Sequence, residues 1–280
     1  RFLRHAATHA ASDGGGGVSI AAGAFHISDS LFDTNSADPE QNGGGLLVTG
    51  ATGSIESTTF RGNIVSESGS GGGGLSINGG AEVDIQNCTF VSNTADGYGS
   101  AVYIDGGSSV TIQDSLMESN TILTSAGTIY ASGESTVAIN NTVIRNNKVT
   151  GQFACGFYFA GSDVTFEDVI IEANTIESAG ANYAAAGFIT EAAQLTFNRV
   201  DFIGNVGQAD TVTVTSGANL ACTDCRFLEN QVETTGSVLM LTGGSTATFA
   251  SSTFVGNSGG LTAFSLSDED DSLKIQASVI

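Results

Sequence analysis

The stretch "NCTFVSN", residues 87–93, sets a large apolar residue three places before an Asn, and the chain repeats that arrangement along its length. "STTFRGN" stands at 57–63, "DCRFLEN" at 224–230 and "SSTFVGN" at 251–257. Nine copies lie in register: Phe32/Asn35, Phe60/Asn63, Phe90/Asn93, Met117/Asn120, Ile144/Asn147, Ile171/Asn174, Phe202/Asn205, Phe227/Asn230 and Phe254/Asn257. Successive Asn residues are 28, 30, 27, 27, 27, 31, 25 and 27 apart. A period of that length marks stacked supersecondary units, each unable to bury its apolar side alone. A general taste for Asn in turns does not explain nine copies in one register.

With the large apolar residue as position 0, the preceding residues alternate as strands do. Position −5 runs Ile27, Ile55, Ile85, Ile112, Ile139, Phe166, Phe197, Cys222, Phe249, and position −7 is mostly Val or Leu. Position −6 between them is largely polar, as at Asp84, Thr111 and Thr165. That is a half-buried strand. Position −2 is small, so −2 and 0 face inward on a second strand. A third lies upstream, in "LSI" 75–77, "AVYI" 101–104 and "GFYF" 156–159. Three short strands in about 27 residues, with no helical stretch between them, predict an all-β, three-sided parallel β-helix of nine to ten coils. Each strand then pairs with its counterpart one coil away, ~4.8 Å distant. Like residues stack in ladders, and the Asn amides are expected to bond the turn backbone and the Asn of the next coil.

Outward positions agree with that register. Glu118, Arg145 and Glu172 share position +1 on consecutive coils; Asp168, Arg199 and Asp224 share −3; Asp201 and Arg226 share −1, and Arg61 follows Asp33 at +1. Exposed pairs of this kind contribute about 0.2–1 kcal/mol each, and disfavour slippage of one coil past another. Of the four Cys, Cys222 and Cys225 ("CTDC") are a candidate short disulfide or half a metal site. No second CxxC and no nearby His completes a zinc set. Cys88 and Cys225 share position −2 five coils apart, roughly 24 Å at the β spacing, too far to bond.

Eight Lys and Arg against 29 Asp and Glu give a net charge of −21. Such a surface repels phosphate backbones and anionic lipid, which disfavours nucleic acid and polybasic membrane attachment. No apolar run is long enough to span a bilayer as a helix. "RFLRHAATHAASDGGGG" at the start has no apolar core of a signal peptide. Asn87-Cys-Thr and Asn140-Asn-Thr are candidate N-glycosylation sequons for a protein secreted by a eukaryote. "SDEDDS" (267–272) offers hard oxygen ligands of the kind Ca²⁺ takes, but lacks a spaced D-x-D-x-D-G pattern and reads as a solvated loop.

"GGGLLV…STTFRGN" and "GGGGLSI…NCTFVSN" resemble the GGA(I/L/V) and FxxN repeats of the polymorphic outer-membrane protein type, and more broadly the right-handed, pectin-lyase-like β-helices. The resemblance covers nearly the whole chain and implies a right-handed solenoid, surface-exposed or secreted and often adhesive. Several coils depart from GGA, with "GSA", "AGT" or "CGF" in its place, and residues 1–280 themselves include no C-terminal membrane barrel.

Little in the sequence points to catalysis. His5, His9 and His26 all fall in the first coil or so, Lys148 and Lys274 stand alone, and no "NTD…DD…GHG…RIK" set of the polygalacturonase kind is present. The expectation is therefore a non-enzymatic extracellular structural or adhesive element, without cofactor or metal. Its partner is a protein or glycan at a cell surface, and end-to-end self-assembly is also expected. The alternative is a polysaccharide lyase or hydrolase on the same scaffold. Residues 1–280 read as a single domain cut inside a repeat at both ends: Phe2 stands at position 0 with His5 in place of Asn, and "LKIQASVI" (273–280) stops at Ile280, again position 0.

Overall fold

The computed structural model describes residues 2–3, 14–37, 41–66, 70–151, 153–177, 184–232, 236–260 and 262–280. Within them every regular element is a strand and every strand pairing is parallel, as the repeat requires. One coil shows the plan. Glu82–Gln86 (positions −8 to −4) belongs to sheet D, Thr89–Val91 (−1 to +1) to sheet A, Thr94–Ala95 (+4 and +5) to sheet B and Val102–Ile104 to sheet C. Sheets A, C and D each hold ten strands and sheet B nine, ordered strictly coil by coil. Sheets A, C and D are the three strands legible in the sequence. Sheet B is a fourth ladder, only two residues wide, formed directly after the Asn.

The register is that of the repeat. Phe90 pairs with Phe60 and Met117, and Ile85 with Ile55 and Ile112. Phe2 pairs with Phe32, whereas His5 and His9 lie outside the described residues. Leu273 and Ile275 pair with Ala247 and Phe249, the −7 and −5 positions of the preceding coil.

Two corners frame the strand of sheet A in every coil. Position −3 carries a left-handed residue, as at Asn87 (φ 53°), Asp114 (φ 52°) and Asp168 (φ 55°). Position +2 does the same at Ser92 (φ 55°), Ser119 (φ 57°) and Gly204 (φ 56°). A left-handed residue costs roughly 1–2 kcal/mol unless it is Gly, or Asn or Asp with local hydrogen bonding. This explains why six of the ten residues at −3 are Asp or Asn.

The core is a column of stacked side chains. Phe32, Phe60 and Phe90 lie face to face with ring centroids 4.7 and 4.8 Å apart, and Phe202, Phe227 and Phe254 repeat this at 4.4 and 4.7 Å. Met117, Ile144 and Ile171 fill the column between them and are fully buried. The glycine-rich runs at 14–17, 43–45 and 71–74, before the first three sheet C strands, follow from that column. A Cβ on Gly45 would stand 2.5 Å from the carbonyl oxygen of Gly74 and 3.1 Å from the Phe60 ring. Backbone occupies the space a side chain would need.

Candidate functional site

The nine Asn residues form one continuous ladder. The Asn120 backbone N–H and Nδ2 both donate to Oδ1 of Asn147, at 2.8 and 3.0 Å, and Nδ2 also donates to the carbonyl of Phe90 at 3.0 Å. Asn35, Asn63, Asn93, Asn147, Asn174, Asn205 and Asn230 donate to the next Asn in the same way. The last rung, Asn257, accepts from Asn230 and donates to the carbonyl of Phe227. The backbone acceptor is thus the position 0 residue of the preceding coil. Asn suits this place because a short amide supplies two donors and a two-lone-pair acceptor in a site closed to water.

The charge rows are ion-paired coil to coil, with two departures from expectation: Glu172 does not pair with Arg145, nor Asp224 with Arg199. Arg61 bonds Asp33 at 2.7 Å, Arg145 bonds Glu118 at 2.8 Å, and Arg226 clasps Asp201. Arg199 bonds Asp168 at 2.6 Å and Glu167 at 2.7 Å, and does not reach Asp224. One guanidinium fork is filled by two carboxylates on the coil before it. Those hydrogen bonds hold the Asp168 carboxyl below its ordinary range and push Arg199, Arg226 and Arg61 up. Asp168, Arg199, Asp201, Asp224, Arg226, Asn141 and Ile170 together line a shallow groove of about 460 Å³.

The disulfide between Cys222 and Cys225 is not formed; all four thiols are free and buried. Cys222 and Cys225 occupy inward rungs at −5 and −2, on either side of the left-handed corner residue Asp224 (φ 55°). Each sulfur serves as a small apolar side chain in its ladder. Burial, together with the neighbouring Cys225, pushes the Cys222 thiol well up, and burial pushes Cys88 to about 11 and Cys155 to about 12. Thiols so raised are poor nucleophiles.

Of the two sequons, Asn87 is exposed at its corner, where Nδ2 donates to the Ser57 hydroxyl at 3.1 Å. Asn140 is half-buried at the end of a sheet D strand, and Thr142 of its sequon is fully buried, donating to the Asn140 carbonyl at 2.8 Å. The acidic run binds its own loop. Asp268 accepts from Thr242 at 2.9 Å, and Asp271 accepts from the N–H groups of Ser245 and Asp268 at 3.0 and 2.9 Å. Among the described residues, no group of three or more His, Cys, Asp or Glu is placed to hold a metal ion, and no helix is long and apolar enough to cross a membrane.

Two features escaped the sequence reading. Tyr103, Tyr130, Tyr158 and Phe188 stack on the outer side of sheet C with successive centroids 5.2 Å apart and planes within 9°. Loop residues Tyr98 and Phe153 close over them. Equal placement of the Tyr in "AVYI", "TIY" and "GFYF" was the available signal. Burial raises the phenols of Tyr103, Tyr130 and Tyr158. Asp210, buried as the first residue of the sheet C strand Asp210–Val214, accepts from the Ser237 N–H and hydroxyl at 2.9 and 2.7 Å and from Thr213 at 3.1 Å. Its carboxyl is raised by burial, and nothing in the repeat marks it.

The parallel coils, the register and the Asn ladder meet an independent comparison here. The family model described as a right-handed beta helix region matches residues 16–184 and again 100–276. The chain belongs to the right-handed β-helix family. No curated protein and no solved structure matches it.

Proposed function

We propose that this β-helix is a non-enzymatic structural or adhesive shaft, working outside the cell in a surface, wall or filament protein. The observation that carries this reading is how its polar side chains are used. The Asn ladder is buried in coil-to-coil hydrogen bonds, and Arg61, Arg145, Arg199 and Arg226 each clasp a carboxylate one coil away. Residue types that do chemistry elsewhere here fasten one coil to the next. The net charge of −21 suits a partner that is a surface protein or a neutral glycan, and disfavours nucleic acid.

A second reading, an enzyme acting on a polysaccharide, is favoured by the groove that gathers Asp168, Asp201 and Asp224 with Arg199 and Arg226. One experiment separates the two. The chain is presented to arrays of neutral and acidic glycans and to extracted cell-surface material, with retention and newly formed chain ends both measured. Retention without new ends supports the shaft. Cleavage that Asp201→Asn abolishes would replace it with the enzyme. Antibody labelling of intact cells tests the extracellular placement.

A further inference from the structure

The two broad exposed faces of the solenoid differ sharply. Sheet D presents outward the residues at −8, −6 and −4, and among them is no Val, Leu, Ile, Met or Phe. They are Thr, Ser, Gln, Asn and Ala, with carboxylates such as Asp84, Asp163 and Glu167. Such composition is what a solvated strand face requires. The outer side of sheet C is closed over by its own loops through Tyr98 and Phe153.

Sheets A and B break the pattern. On sheet A, Leu116, Val143 and Ile170 follow one another outward at −1, and Ile203, Leu228 and Val255 do so at +1. Val255 is 49% exposed and the others are half-buried, with open solvent above them rather than core. Charge is segregated on the same side. Five of the six described basic residues, Arg61, Arg145, Lys148, Arg199 and Arg226, lie on these two sheets or the corner leading into them; Lys274 alone is on sheet D. At the outward strand positions −1, +1 and +4, four cations (Arg61, Arg145, Lys148, Arg226) stand against four carboxylates (Asp33, Glu118, Glu172, Asp201). The strand positions of this side therefore balance on a molecule of net charge −21, and its carboxylates sit at the borders: Glu177, which bonds Lys148 at 2.8 Å, Glu229 at +2, and Asp29, Asp114, Asp168 and Asp224 at −3.

We infer that the outer face of sheets A and B is a lateral self-association surface, its occupant a second copy of this chain. Charge favours that face over sheet D, whose outward strand positions carry five carboxylates (Glu56, Glu82, Asp84, Asp163, Glu167) against Lys274 alone, so that pairing through sheet D would bring like charges together. Size permits it. Unrolled across the +2 corner, nine coils at ~4.8 Å by six residues at ~3.3 Å give roughly 860 Å², close to the ~800 Å² that one partner of a stable pair presents. A salt signature follows: screening the net charge relieves repulsion between copies, so salt tightens the pairing.

Sedimentation velocity of the purified chain over a range of concentration and salt tests this. The expected result is a dimer that strengthens from low to moderate salt. Val143→Glu places a charge in the middle of the face and should raise the dissociation constant about tenfold or more, with Leu228→Glu as a second variant on another row. Thr165→Glu adds the same charge to the exposed face of sheet D and should leave the dimer intact. A wild-type chain that stays monomeric at high concentration and moderate salt overturns the proposal and leaves the face to a different partner. Equal weakening by Val143→Glu and Thr165→Glu overturns it as well, since net charge and not the face would then be in control. Neither result touches the shaft reading, which rests on the ladders inside the coil.

Discussion

Nδ2 of Asn120 lies 3.0 Å from Oδ1 of Asn147 and 3.0 Å from the carbonyl oxygen of Phe90, so one side chain binds the coil above and the coil below. Asn120 is fully buried, and Asn120→Ala would take the acceptor from the backbone N–H of Asn93 and the amide donor from the carbonyl of Phe90; the Asn93 amide would keep only Phe60, and Oδ1 of Asn147 only the backbone N–H of residue 120. Each buried group without a partner costs about 1–3 kcal/mol. Urea unfolding should show a loss of at least about that size. Ser119→Gly, one residue earlier, should be neutral or stabilising by up to about 1–2 kcal/mol, because Ser119 holds φ 57°. Equal destabilisation by the two substitutions would remove the structural reason given for the repeat.

The inward face of sheet D allows a sharper test of side-chain direction. Ile112 is fully buried between Ile85 and Ile139 of the adjoining coils. Ile112→Asp leaves a charge without a partner in an apolar column, at a cost of several kcal/mol. Coils touch only their neighbours, so damage should spread along the stack from its origin. Hydrogen exchange is expected to accelerate most around residues 85, 112 and 139, and less towards both ends. An unchanged thermal melt would show that Ile112 does not face the core.

Much of this was legible because a β-solenoid writes its cross-section into every coil. Position 0, the inward residues at −2, −5 and −7 and the ladder Asn recur nine times, so local accidents average out. Sheet B was not legible: two residues such as Thr94 and Ala95 are too few to show a period of two. The unmade contacts have the same kind of cause. Shared position put Arg199 beside both Asp168 and Asp224, but its Nε and Nη2 turn towards the preceding coil, where Glu167 supplied the second partner. Cys222 and Cys225 matched a disulfide spacing, yet their places at −5 and −2 make both thiols part of the packing. Asp210 opens the sheet C strand Asp210–Val214, after a segment whose length varies from coil to coil, and no pattern announced it.

The sequons differ in a way the fold makes testable. In a eukaryotic secretory host, Asn87 is expected to carry a glycan, since it is exposed at a corner and its Nδ2 is held only by the Ser57 hydroxyl. Asn140 is expected to remain unmodified, or to yield poorly folded chain when modified, because it is half-buried and Thr142 is sealed in the core. Peptide mapping before and after enzymatic deglycosylation reads both sites. A glycan on Asn140 in well-folded protein, with Asn87 bare, would contradict the accessibility argument.

Asp210 gives the solenoid a pH dependence of definite sign. Burial raises its carboxyl above the ordinary 3.8, against the pull of the Ser237 and Thr213 donors. The folded state therefore holds a proton over a window in which the unfolded chain has released it, and stability falls as pH rises through that window. The contribution of Asp210 is greatest below pH 3.8 and is lost as pH climbs past the raised value. Asp168 and Asp268 act oppositely, since their carboxyls are lowered and their contribution disappears on acidification. Absolute stability mixes these effects, so the informative quantity is the difference between wild type and Asp210→Asn. Asn retains an acceptor for the Ser237 N–H and carries no charge. The variant should gain on wild type as pH rises from 3.8 towards neutrality, and the gain should level off once Asp210 is ionised in both states. Urea midpoints for the two proteins across that range measure it. A difference that stays flat with pH would mean that Asp210 ionises as freely in the fold as in the unfolded chain, and a difference that shrinks as pH rises would mean its charge is stabilised rather than penalised.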